Sequence, residues 1–377
     1  MKSVIVLDVG TQSVKAAALE IGKNNKEGII KSWAKELDAE NIFSACQKAI
    51  KKIQKQSKSK AQEIFLGIGS DALKGRTITV CFKREVPEQK IDLAELKYFI
   101  QKIEWKALDS IRKEFKQETE LKDVDVRLID AFIVDIKLDD SSITDLIGAS
   151  GQSICFSVYN IYTSRTWLEN LGKLVSGLKI KLAGLVPVSY SLFNYLNLEK
   201  SQKGNALIID IGGKITEITL VKNGGEVIET KSFHLGGQAF SCVIADFLGL
   251  KLDDAENIKI KYSKGEIGIE AKKKLEKLFA PNISSWMNGV KIVLGDFLKE
   301  YKVLPNKIFI CGGGSKFPLI ESGLKKEKGF KVLSIGDKTE SGEISCLALQ
   351  KFYLGLPDEK DIFAPIFKRV IKLIQNQ

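Results

Sequence analysis

The chain is poor in the residues that build metal clusters, disulfide frameworks and membrane spans. Among 377 residues there is one histidine, His234, and there are two methionines and seven prolines. The six cysteines (Cys46, Cys81, Cys155, Cys242, Cys311 and Cys346) lie far apart with no C-x-x-C pair. One histidine and scattered thiols do not supply the paired ligands of a zinc site, so the cysteines read as reduced core thiols of a cytosolic protein. The first apolar run, Val4-Ile5-Val6-Leu7, is broken by Asp8. No stretch approaches the roughly 20 apolar residues of a spanning helix, which reads as neither secreted nor transmembrane.

What is present is an ordinary globular mixture, 44% hydrophobic and 28% charged, enough for two compact domains or several subdomains. Lys plus Arg number 58 against 47 Asp plus Glu, a net charge of +11 that favours acidic partners: anionic lipid, an acidic peptide or nucleic acid. Lysines alternate with glutamates over most of the chain, so any single run reads first as a solvated helix face. No aromatic-basic stripe is evident, and nucleic acid is not an expected partner.

The opening segment from Ser3 to Thr11 reads as a buried strand ending in a turn, followed by a second strand from Ser13 to Leu19. A helix from about Ala39 to Gln56 carries Ile42, Phe43, Cys46, Ile50 and Ile53 on one face, and a strand follows at Ile64 to Ile68. From about Thr77 to Ile161 short β segments surround charged helices, the pattern of an inserted α+β subdomain. The opening then returns. Asn205 to Gly213 repeats strand, Asp, apolar, Gly; Thr216 to Val221 supplies the next strand, and Asn223-Gly224-Gly225 turns it into a third. Two such units roughly 200 residues apart are an internal duplication rather than a solenoid repeat. Charged helices between about Asp253 and Tyr301 precede a strand at Lys307 to Cys311 and the run Gly312-Gly313-Gly314-Ser315.

A strand ending in Asp-x-Gly-Thr sets a carboxylate beside a turn whose N–H groups point outward, a natural phosphate cradle. In that reading Asp8 holds hydrated Mg²⁺, Gly10, Thr11 and Gln12 bind outer phosphates, and Lys15 neutralises them. An Asp-Gly pair between apolar runs is also an ordinary hairpin turn. The second copy, Asp210-Ile211-Gly212-Gly213-Lys214-Ile215-Thr216, allows a phosphate chain to be clamped from both sides, and Gly312 to Ser315 allows a base to lie against bare backbone.

These three elements resemble those of the actin-like ATPase superfamily. The resemblance implies an α/β, duplicated ribonuclease H-like two-domain fold with an inserted α+β subdomain, and ATP with Mg²⁺ as ligands. Its phosphate motifs fall on Asp8, Gly10, Thr11, Gln12, Ser13 and Lys15, and on Asp210, Gly212, Gly213, Lys214 and Thr216. Its adenosine motif falls on Gly312, Gly313, Gly314 and Ser315, with Gly236 and Gly237 also in the nucleotide site. Asp8 and Asp210 would hold Mg²⁺ through water. The segment from Asp254 to Tyr262 resembles an Ala-Glu-x-x-Lys helix, so Glu256 and Lys259 would contact the ribose or base; the pair reads equally well as a solvated face. The expected division is 1–83 with 162–204, an insert at 84–161, 205–250 with 302–355, a helical part at 251–301, and a linker with terminal helix at 356–377.

Within the superfamily the chain resembles FtsA. The segment from Phe132 through Asp145 to Gln152 and Tyr159 partly matches the end of its inserted subdomain, with Leu146 and Ile147 replacing the usual proline region. Near the end, Phe363, Ile366, Phe367, Val370, Ile371, Leu373 and Ile374 fall on one side of a helix and Lys368, Arg369 and Lys372 on the other, the pattern of an interfacial anchor or of a docked terminal helix. The resemblance implies protofilaments, a nucleotide cleft, capture of the FtsZ C-terminal tail by the second half, and a cytoplasmic protein peripheral on the inner membrane face at the division site. Where the superfamily often carries a water-positioning Glu before a proline, this chain has Val186-Pro187, which implies at most a slow Mg-dependent ATPase. The rival reading is a PilM-like scaffold of type IV pilus assembly. A small-molecule kinase lacks a base and a substrate loop here, and a DnaK-like chaperone would need a further domain.

Overall fold

The computed structural model describes residues 2–22, 28–37, 41–58, 61–69, 72–119, 125–198, 204–222, 227–327, 329–335 and 343–356. Its first sheet grows from β1 (Lys2–Val9), whose apolar run is buried on both faces. β1 pairs antiparallel with β2 (Ser13–Ile21), and β2 with β3 (Gly28–Leu37); on its other side β1 runs parallel to β4 (Glu63–Ile68), and β4 to β9 (Lys181–Pro187). Parallel neighbours require a crossover. The first is α1 (Ile42–Ser57), capped by the Asn41 side chain, which accepts the Ser44 N–H over 3.0 Å. It packs beside α3 (Arg165–Leu178), while α4 (Val188–Leu198) and α9 (Glu343–Leu354) pack together below Phe65 and Gly67.

The duplication expected from the sequence is present strand for strand. β10 (Ala206–Ile211), β11 (Thr216–Lys222) and β12 (Val227–Phe233) form an antiparallel meander, and β10 runs parallel to β13 (Lys307–Cys311), which runs parallel to β14 (Lys331–Ser334). The order β12-β11-β10-β13-β14 repeats β3-β2-β1-β4-β9. Against the outer face lie α5 (Gln238–Leu248), α6 (Leu252–Ser263), α7 (Ile269–Tyr301) and α8 (Pro318–Lys326), around Trp286, Phe240, Phe279 and Phe317.

The insert consists of β5 (Lys74–Lys83), α2 (Leu93–Thr119), β6 (Val126–Leu138), the short β7 (Ser141–Ser142) and β8 (Ser153–Ser164). β5 pairs along its whole length with β8, so the residues that the sequence placed at the end of the first unit lie in the inserted sheet. At Arg76↔Glu229 β5 also bridges to β12, joining the insert and the second unit into nine strands. There Arg76 bonds Glu300 and stands 3.6 Å from the buried Glu229, whose carboxylate also receives the Tyr301 hydroxyl. Tyr159 of β8 stacks on Tyr190 of α4 at 3.9 Å between centroids.

The expectation of six reduced core thiols is corrected. Cys81 and Cys155 are cross-strand partners of β5 and β8 and form a disulfide, and Cys242 is an exposed free thiol. Their 74-residue separation hides a register that only strand pairing reveals. Cys46, Cys311 and Cys346 are buried as expected, and burial pushes the Cys46 thiol up to about 12. The amphipathic stretch 363–374 and the turn 223–225 lie outside the described residues. Among the described helices none is long and apolar enough to cross a membrane.

Candidate functional site

The ends of β1 and β10 bring the two Asp-x-Gly turns face to face. Each is a tight turn closed by one backbone bond: Gly10 donates its N–H to the Ser13 carbonyl at 3.1 Å, and Gly212 donates to Ile215 at 3.0 Å. Registers match as well, with Asp8 opposite Lys15 and Asp210 opposite Glu217. The Lys214 N–H donates to the Thr11 hydroxyl over 3.2 Å, and a Cβ on Gly213 would lie 2.3 Å from Cβ of Gln12.

Asp8, next to last in β1, has 3% of its surface exposed. Lys15 reaches it from the facing strand at 2.7 Å, and the Ser345 hydroxyl donates to the same carboxylate oxygen at 2.6 Å. Burial alone would lower the Lys15 pKa, but the charge and hydrogen bond of Asp8, with Asp210 beyond, reverse this and raise it, so Lys15 stays a cation. Asp210 behaves oppositely. Burial and the Asp8 charge push its carboxyl up to about 6 against the pull of Lys15 and Cys311. Two carboxylates sharing one lysine leave a site short of positive charge, which a divalent cation would correct.

Glycine is required where backbones crowd. A Cβ on Gly236 would meet the carbonyl oxygens of Gly212 and Gly213 at 2.6 Å each. Gly237 and Gln238 donate to those carbonyls at 2.9 and 2.8 Å, pinning the N-terminus of α5 to the second turn. Gly312 has a left-handed φ of 83°, and its Cβ would strike Asp210 at 2.2 Å. Gly313, Gly314 and Ser315 form a 3-10 turn directly after it, and the Ser315 hydroxyl donates to the Gly312 carbonyl at 2.8 Å. On α6, Lys259 bridges Glu256 at 2.7 Å and the Gly237 carbonyl at 3.0 Å, while Ser241 donates to Glu256 at 2.5 Å. Both α6 residues are therefore engaged with the start of α5 rather than forming a purely solvated face.

One sequence-predicted residue turns away. The Thr216 hydroxyl donates to the Leu235 carbonyl at 2.7 Å and accepts from the Trp286 indole at 2.9 Å, a structural bond beneath the second turn. One residue was missed: Ser345, at the first turn of α9, lies 337 positions from Asp8 and belongs to no recognisable motif. Asp8, Asp210, Lys15 and the glycine backbones fit a polyphosphate with hydrated Mg²⁺. Among the described residues no group of three or more His, Cys, Asp or Glu converges, so a cation here would take most ligands from phosphate and water. The end of β9, separated from Asp8 by β4, presents Val186 and Pro187, and α4 begins with Val188 near Gly69; none of the three carries a carboxylate.

Beside the turns, on the α1 and α3 side, opens an apolar groove of about 640 Å³. Phe43, Ile68, Trp167, Leu171 and Leu174 line it, with Lys214 at its edge. Trp167 is half exposed there, an orientation that helical periodicity alone did not single out.

The fold is the actin-like ATPase fold. The family profile described as "Type IV pilus assembly protein PilM" matches residues 188–341. A solved "PilM-PilN type IV pilus biogenesis complex" superposes over 98% of this chain and 98% of that one, with a TM-score of 0.62 and 16% identity. The ethanolamine utilization protein EutJ from Carboxydothermus hydrogenoformans covers 93% of this chain and 90% of its own, with a TM-score of 0.51 and 13% identity. Cell division protein FtsA of Helicobacter pylori (strain J99) is 25% identical over 150 residues, which is 40% of this chain. The match spans 30% of that relative's length.

Proposed function

We propose that this chain is an ATP-binding scaffold of the actin-like kind in a PilM-like role, holding a partner segment while nucleotide sets the closure of its two halves. The observation that carries the reading is the meeting of the two turns at Thr11 and Lys214, with Asp8, Lys15 and Asp210 beneath and the crowded glycines Gly236, Gly312 and Gly314 alongside. ATP would lie with its phosphates between the turns and its adenosine toward Gly312 to Ser315, Glu256 and Lys259. Mg²⁺ would neutralise Asp8 and Asp210. Without a carboxylate at Val186 to Val188, the nucleotide acts as a conformational ligand and turns over slowly at most. The apolar groove beside the turns suits a short apolar segment of a partner, and the PilM structure that this fold resembles is in complex with PilN.

Calorimetric titration of MgATP into the full chain and into Gly236→Ala tests the nucleotide site. Binding by the parent that is lost in the variant supports it; a parent that takes up no MgATP refutes it.

A second reading is FtsA-like: a filament-forming protein that captures the FtsZ tail and ties it to anionic membrane through Phe363, Ile366, Phe367, Lys368, Arg369, Val370, Ile371, Lys372 and Ile374. The partial FtsA similarity and the amphipathic pattern of that stretch favour it. If Phe367→Glu with Ile371→Glu releases the protein from anionic vesicles and abolishes filaments on them, this reading takes precedence. If those changes leave vesicle binding intact, the PilM-like reading stands.

A further inference from the structure

Helix α2 buries Leu96, Phe99, Ile103, Ala107 and Ile111 against the inserted sheet. Its opposite face holds two large aromatics in the open: Trp105 is 75% exposed and Tyr98 54%. Seven residues apart, they stand two turns from each other along one line. Around them Lys97, Lys102, Lys106, Arg112 and Lys113 are exposed; of the described acidic side chains there, Asp109 is paired to Lys113 at 2.7 Å and Glu95 to Arg84 of the insert at 2.7 Å. Exposing an indole to water to this extent forgoes its large apolar burial.

We propose that this face of α2 rests on an anionic lipid surface, with Trp105 and Tyr98 in the headgroup boundary and the surrounding cations against lipid phosphates. Trp and Tyr favour that boundary because the ring is apolar and its tip polar, and each basic residue near an anionic surface adds attraction. The shape selects lipid over the alternatives. The outer face of a single helix is convex and offers a peptide no groove, whereas it can lie flat on a bilayer. A nucleic acid would need free ring faces for its bases, but the Lys102 ammonium already stands 5.5 Å from the Tyr98 centroid. A second copy would bring like charges together. The proposal requires neither the nucleotide site nor residues 357–377.

The test uses the full chain with phosphatidylcholine vesicles, with and without phosphatidylglycerol, for the parent, Lys102→Glu with Lys106→Glu, and Trp105→Phe. Charge reversal is expected to weaken binding to anionic vesicles roughly tenfold or more. Brominated phosphatidylglycerol should quench parent tryptophan emission more strongly than that of Trp105→Phe, because Trp105 alone among the compared fluorophores differs. Should charge reversal disturb the fold, seen as a lowered thermal midpoint, the Trp105→Phe quenching comparison decides by itself. Unchanged vesicle affinity together with equal quenching overturns the proposal. So does capture of an acidic peptide or a single-stranded oligonucleotide that depends on these residues while bromolipid quenching is indifferent to Trp105.

Discussion

Lys214 donates its backbone N–H to the hydroxyl of Thr11 across 3.2 Å, joining two turns that lie 203 residues apart in the chain. The bond is exposed to solvent, so between the turns it is weak enough to yield to a ligand. Thr11→Val keeps the shape and removes the acceptor. The expected loss is about 1 kcal/mol of closure, read as a MgATP dissociation constant raised about fivefold in a calorimetric titration. An unchanged affinity would show that this contact does not couple closure to binding.

Lys15 is the counter-charge of a carboxylate that is almost fully enclosed. Lys15→Met strands Asp8 and should cost about 3–5 kcal/mol in urea unfolding of the nucleotide-free protein. Adding Asp8→Asn to it should restore part of that stability, because the uncompensated charge is then gone. Equal losses in the single and double variants would mean that Asp8 finds its compensation elsewhere.

Asp210 supplies a pH dependence of definite sign. Its folded pKa of about 6 lies above the ordinary 3.8, so between those values the folded chain holds a proton that the unfolded chain has released. Stability from this group is greatest at the acid end of that window, falls as pH rises through it, and levels off above it. Asp210→Asn should therefore be more stable than the parent at pH 7.5, by roughly 1–2 kcal/mol after screening, with the gap closing toward pH 4. Metal-free thermal melts across that range check it. A gap that widens on acidification would show the shift to have the other sign.

The thiols can be counted directly. In the native oxidised chain a thiol reagent should modify one cysteine quickly, Cys242, and mild reduction should add Cys81 and Cys155 to make three. Cys242→Ser should remove the fast reaction altogether. Rapid modification of Cys81 before reduction would exclude the cross-strand bond.

Much of the architecture was legible because it rests on local physics. Val4 to Leu7 and Leu207 to Ile209 are apolar runs too short for helices and stopped by Asp, and both became central strands with the same neighbours. The turns followed from Gly10 and Gly212, where the chain must reverse without a side chain in the way. Thr216 shows the limit: its motif position suggested a ligand contact, but its hydroxyl is satisfied by Leu235 and Trp286, a partner 70 residues away.

What the sequence by itself determined was the repeated strand-turn-strand unit, the residue types at each turn and the amphipathic faces of the helices, since these depend on neighbours a few positions apart. Tertiary structure alone decided that Ser345 bonds Asp8, that Cys81 meets Cys155, that Arg76 of the insert closes on Glu229 of the second unit, and that Tyr98 and Trp105 are left facing outward. Each of these is set by strand register or by which helix face finds a partner. Such choices are made by the packing of whole elements, and no short window of sequence contains the energies that settle them.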